Sequence, residues 1–139
     1  MRKRLKSYFT GRMFEKFQFS ERQIDRYFQS AISDYKIAIE SSVPAVTFRF
    51  CYDALIKLAI TVCAKNGLKV KARQGHHIEL LGKLSDFLEN NDIEIIGNEM
   101  RGKRNFDLYS GGILISSKET EEYKKWLKPI FANAEDFLY

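Results

Sequence analysis

The stretch Met100 to Tyr109, MRGKRNFDLY, sets two arginines and a lysine into one short segment at helical spacing. Arg101, Asn105 and Tyr109 recur at i, i+4 and i+8 and so share one helix face, with Arg104 one turn from Arg101 and beside Asn105. Two neighbouring guanidiniums can hold a phosphate through forked, charge-assisted hydrogen bonds, and a tyrosine can donate a hydrogen bond or stack on a base. The same arginines can instead pair with acids such as Glu94, Glu99 or Asp107, leaving Asn105 and Tyr109 to bridge helices. His76 and His77 are the only histidines. Being adjacent, they point about 100° apart on a helix and do not form the i, i+4 pair that grips a metal. Either can cap a helix, face the basic segment, or act as an acid or base. The sequence holds no phosphate-cradling glycine loop, no nucleophile elbow, no paired-cysteine metal site and no carboxylate pair that stands out as catalytic. No metal and no cofactor is called for.

These residues need a scaffold, and 139 residues suffice for one domain with a proper core. Hydrophobic residues make up 45% of the chain, which excludes a disordered polymer, and only two prolines and eight glycines interrupt it, which favours long helices. The net charge is +5, and the first sixteen residues, with six basic side chains against Glu15, carry that whole excess. The cationic character is therefore concentrated in an N-terminal arm, residues 1–18, which also contains Tyr8, Phe9, Phe14 and Phe17. Such an arm attracts polyanions by counterion release and can stack rings on bases, or it anchors itself to the fold through some of those rings. Cys51 and Cys63 sit in an apolar stretch without ligand spacing and read as reduced, buried small hydrophobes, which suits a cytoplasmic protein. No apolar run approaches the roughly 18 residues of a membrane span, and no apolar core follows the basic start as a signal peptide requires.

From residue 19 to residue 139 the pattern predicts an all-α, up-and-down antiparallel bundle of four to five helices. Ser20 with Gln23 forms a capping box opening the first helix, whose stripe runs Ile24, Phe28, Ala31, Tyr35, Ala38 and Ile39. Pro44 restarts the chain, and the second helix runs to about Asn66 with Gly67 closing it. Its β-branched residues favour strands, but the three- and four-residue apolar spacing and the length outweigh them. A basic link with Lys69, Lys71 and Arg73 leads to a third helix from His76 with Ile78, Leu81, Leu84 and Phe87 as its stripe. Asp92 is the expected cap of the fourth helix, which carries Gly97, Gly102 and the basic segment and ends at Ser110-Gly111-Gly112. Ser117 opens the last helix, where Pro129 predicts a kink.

In order along the chain, SAISDYKIA, YDALIKLAI followed by Asn66-Gly67, KARQGHHIELLGKL, RGKRNFDLY and the closing ANAEDFL resemble the HEPN family of helical nucleotide-binding domains over residues 14–139. The resemblance implies a helical bundle that commonly forms a homodimer. It also implies membership of toxin–antitoxin, antiphage or other RNA-related systems, with RNA, a nucleotide or a small nucleotidyltransferase as partner. Active members of that family cleave RNA without metal, using an arginine followed four to six residues later by a histidine. Arg104 and Asn105 match the start of that motif, and Tyr109 stands at the histidine's place. The expected function is therefore binding of RNA, nucleotide or a partner protein through Arg101, Arg104, Asn105, Tyr109, His76 and His77. One alternative is a ribonuclease toxin in which Arg104 and Tyr109 carry the catalysis; another is a purely structural dimeric module.

Overall fold

A computed structural model describes residues 13–112 and 115–139 of the chain. Five helices account for most of it: α1 (Glu21–Glu40), α2 (Pro44–Lys65), α3 (His76–Phe87), α4 (Asn91–Ser110) and α5 (Ser117–Leu138). Two three-residue strands, β1 (Phe14–Lys16) and β2 (Leu68–Val70), pair antiparallel with Phe14 opposite Val70 and Lys16 opposite Leu68. The expected helical bundle is the observed one, and the small sheet is an addition to it.

α2 is the central element, packed against each of the other four helices. Thirteen of its residues are buried, and Leu55, Leu58 and Val62 are wholly so. Each large aliphatic side chain removed from water contributes about 1.5–3 kcal/mol. That outweighs both the missing side-chain cap at Val43, worth about 1 kcal/mol, and the few tenths lost per β-branched residue. Thr61 adapts to the helix by donating its hydroxyl to the Lys57 carbonyl at 2.7 Å.

The helix ends follow local chemistry. Ser20 and Gln23 form the predicted capping box on α1. Two other caps lie one or two residues earlier than expected. Asn90 caps α4, accepting the Asp92 amide at 3.1 Å, because its side chain already sits outside the helix while Asp92 is inside the first turn. Ser116 caps α5 in a box with Glu119, which makes Ser117 the first helical residue. α5 runs as one helix through Pro129. The stripe of α3 also differs from the expected one: Ile78 is exposed, and Leu80, Leu81 and Leu84 are buried.

Cross-links fix the helices against one another. Asp34 on α1 pairs with Lys57 on α2 at 2.8 Å. The Tyr35 ring stacks on Phe131 of α5 and its hydroxyl donates to the Lys124 carbonyl at 2.8 Å. At Gly97 a Cβ would lie 2.7 Å from Leu81 of α3 and 3.4 Å from Leu55 of α2, so glycine there lets α4 pack closely against both. Gly102 has no neighbour within 4 Å and serves no such approach. β1 anchors the start of the described chain, with Phe14 only 3% exposed in the core and the Met13 carbonyl accepting the Lys71 amide at 2.7 Å. Residues 1–12 of the arm, with most of its charge, lie outside the described residues, as do residues 113 and 114 of the connector before α5. No described helix is long and apolar enough to cross a membrane. Both cysteines are buried and unbridged, and burial pushes each thiol up to about 12, well away from the reactive thiolate.

Candidate functional site

Three segments converge on one concavity of about 380 Å³: the link Ala72–Gly75, the first turn of α3, and the Arg101–Asn105 stretch of α4. Its lining includes Arg73, His76, His77, Arg101, Arg104 and Asn105 and contains no carboxylate. Five of the six residues singled out from the sequence thus meet at one place. Tyr109 belongs to the last turn of α4, and its side chain lies outside the described residues. The two histidines, expected to diverge, both line the concavity with ring centroids 4.5 Å apart, edge to face. They do so because Gly75 adopts a left-handed conformation at φ 84°, turning the link into α3 so that the helix begins at the rim. Gly75 offers no side-chain cap, and the His76 amide donates to the Arg73 carbonyl at 3.1 Å and the Ile78 amide to the Gly75 carbonyl at 3.1 Å.

The arginines are not consumed by internal ion pairs. Arg101 donates its Nε to the Asn98 side-chain oxygen at 3.1 Å, which leaves its terminal nitrogens outside that bond. Arg104 lies over the Tyr52 ring, 5.8 Å from its centroid, and its Nε is buried without a hydrogen-bond partner. A guanidinium on an aromatic face gains about 0.5–2 kcal/mol and is held flat. None of Arg73, Arg101 and Arg104 makes an ion pair among the described residues, so the alternative that Glu94, Glu99 or Asp107 neutralises the α4 arginines does not describe this fold. Glu99 instead joins Lys103, the third basic residue of the segment. Lys103 faces away toward α5, 2.7 Å from the Tyr123 hydroxyl, 3.2 Å from Glu119 and 3.4 Å from Glu99. Burial pulls its ammonium down, but the bonds to Tyr123, Glu119 and Glu99 outweigh that and hold it above the usual lysine range. Lys103 is therefore a strut between α4 and α5.

Beneath the concavity lies a residue that sequence reasoning did not assign to the site. Tyr52 of α2 is 1% exposed, and its hydroxyl meets His77 Nδ1 at 2.8 Å. Burial pushes the phenol up to about 12, against the opposing pull of Arg104 and Arg101, so it keeps its proton at neutral pH. Burial, then His76, Arg104 and Arg101, push His77 down to about 4, so the imidazole is neutral there. The phenol proton has no other acceptor among the described residues, so Tyr52 donates to Nδ1 and the imidazole carries its own proton on Nε2. His76 takes the opposite form: its Nδ1 lies 2.6 Å from the Arg73 carbonyl, which can only accept, so Nδ1 bears the proton. The His76 bond also ties the link bearing Arg73 to the start of α3. In the sequence, Arg73 was visible as part of a basic link, whereas nothing but a polar-ended aromatic in an apolar helix marked Tyr52.

The assembled chemistry is a set of donors around an opening: three permanently charged guanidiniums, a neutral imidazole N–H and the Asn105 amide. No group of three or more potential ligands suited to a metal ion occurs among the described residues. Comparison with protein families, with curated proteins and with solved structures found no match to this chain.

Proposed function

We propose that this chain is a HEPN-like helical module that binds the phosphates of RNA or a nucleotide at the concavity between α3 and α4. One observation carries the reading: Arg73, Arg101 and Arg104 line a single opening that no carboxylate enters. The basic arm adds to it. Met13, which follows the most basic part of the arm in sequence, has its terminal methyl 3.7 Å from the Cβ position at Gly75, on the rim of the opening. Binding is favoured over cleavage on chemical grounds. A general acid or base works best with a pKa near the working pH, and His77 at about 4 is a neutral donor at pH 7. His77 therefore does not supply the acid or base that the ribonuclease reading with Arg104 and Tyr109 would need.

The test is the affinity of a labelled RNA measured between about 50 and 200 mM salt, where each phosphate contact contributes nearly one unit of slope in log K against log salt. Arg101→Ala and Arg104→Ala are expected to weaken binding and lower that slope. RNA that fails to bind at low salt, or binding indifferent to both substitutions, rejects the proposal. Intact RNA after incubation with excess protein separates binding from cleavage.

A second reading, self-association, is favoured by a stripe on α4. Ile95 and Phe106 are 65% and 55% exposed and lie three turns apart on one face, with Gly102 between them. A second copy packed there would place two such openings in one particle. Light scattering on the wild type and on Phe106→Glu reads this: a monomeric wild type rejects it.

A further inference from the structure

We propose that the concavity between α3 and α4 is a receptor for a phosphate monoester, a terminal phosphate on an RNA or mononucleotide, in preference to the internal diesters of a strand. The inference rests on the phosphate-binding reading above and narrows it. Charge is the first argument. Arg73, Arg101 and Arg104 place three fixed positive charges around one opening with no acid among its lining residues. A monoester carries between about −1.5 and −2 near pH 7, its second ionisation lying near 6, whereas a diester carries a single charge. The second negative charge relieves more of the mutual repulsion of the guanidiniums than a single charge can.

Donor geometry is the second argument. A terminal phosphate presents three non-bridging oxygens and a diester two. The site offers donors from separate residues: the guanidinium of Arg104, the terminal nitrogens of Arg101, and the imidazole of His77, whose proton Tyr52 directs to Nε2. His77 contributes its donor without adding charge. Shape is the third argument. At about 380 Å³ the concavity is at the small end of the roughly 300–1,000 Å³ typical of ligand sites. An internal diester must bring a nucleoside in on both sides, and a terminal one on only one.

The experiment compares one short RNA sequence, labelled internally, with hydroxyl ends, with a 5′-phosphate and with a 3′-phosphate, and adds AMP and inorganic phosphate as competitors. A phosphorylated end is expected to bind roughly tenfold tighter than the hydroxyl-ended strand, since charge-assisted bonds to a dianion replace weaker ones. The preference should shrink as pH falls from about 7.5 to 5.5, through the second ionisation of the monoester. Arg104→Lys, which keeps the charge and loses the planar fork, should reduce the preference for the phosphorylated end to about twofold. AMP displacing the probe, with RNA ends showing no advantage, assigns the monoester to a free nucleotide and upholds the proposal. Equal binding of all three strands, with no competition by AMP or phosphate, overturns the monoester preference and leaves RNA binding standing. No binding of any strand, AMP or phosphate overturns both.

Discussion

At the scale of single residues, the consequential arrangement is Tyr52 beneath His77. A buried phenol with one acceptor decides which imidazole nitrogen keeps its proton, while burial, then His76, Arg104 and Arg101, keep the imidazole uncharged. Nitrogen chemical shifts of the imidazole are expected to show the Nε2–H form in the wild type and a mixture of tautomers in Tyr52→Phe. The same substitution should cost about 1 kcal/mol of stability, the ordinary net worth of one hydrogen bond, and weaken phosphate binding several-fold without unfolding the bundle. A wild type found in the Nδ1–H form would refute the assignment. Of the residues singled out from the sequence, Arg101, Arg104 and Asn105 were legible because a 3.6-residue period places them on one face. Their relation to Tyr52, about fifty residues earlier in the chain, has no counterpart in any local pattern.

At the scale of elements, α4 carries the site and its two glycines have opposite meanings. Alanine is better than glycine inside a helix by about 1 kcal/mol, and at Gly102, with open space around it, that gain should be realised in full. At Gly97 the added methyl would meet the fully buried Leu81 at 2.7 Å, and overpacking of this kind costs about 1–3 kcal/mol. Urea denaturation is expected to show Gly102→Ala stabilised by about 1 kcal/mol and Gly97→Ala destabilised by about 1 kcal/mol. Equal stabilisation of both would mean that α3 and α4 are not in close contact. The helices themselves were readable from apolar periodicity and the caps from short-range chemistry to within a residue or two. The pairing of β1 with β2 was not, because three-residue strands give no periodic signal and join segments about fifty residues apart.

At the scale of the whole molecule, His77 couples the site to folding. Its folded pKa of about 4 lies below the unfolded value near 6.5. Above pH 6.5 the imidazole is neutral in both states. As the pH falls from about 6.5 to 4 the unfolded chain takes up a proton that the fold refuses, so stability is lost across that window. The groups that oppose its charging are His76, Arg101 and Arg104, with Tyr52 occupying Nδ1. Burial raises the Asp53 carboxyl, outweighing Arg49, and this acts in the opposite sense at low pH. The difference between wild type and His77→Gln removes that contribution. Denaturation midpoints at pH 7 and pH 4.5 should converge more closely in His77→Gln than in wild type, and an identical pH dependence would refute the account.

The sequence by itself determined what depends on near neighbours: five amphipathic helices and the common face of Arg101, Arg104 and Asn105. Helix formation and capping are settled within a few residues, so periodicity and cap chemistry suffice. Only the tertiary structure decided which members of the basic segment form a site. It turned Lys103 toward Tyr123 and Glu119 on α5, left Arg101 and Arg104 without acids, brought Arg73 and both histidines to the same opening, and set Tyr52 under them. Those outcomes depend on how α2, α3, α4 and α5 pack. Packing is set by volume and close approach, as at Gly97, between residues far apart in the chain, and no period along one helix encodes it.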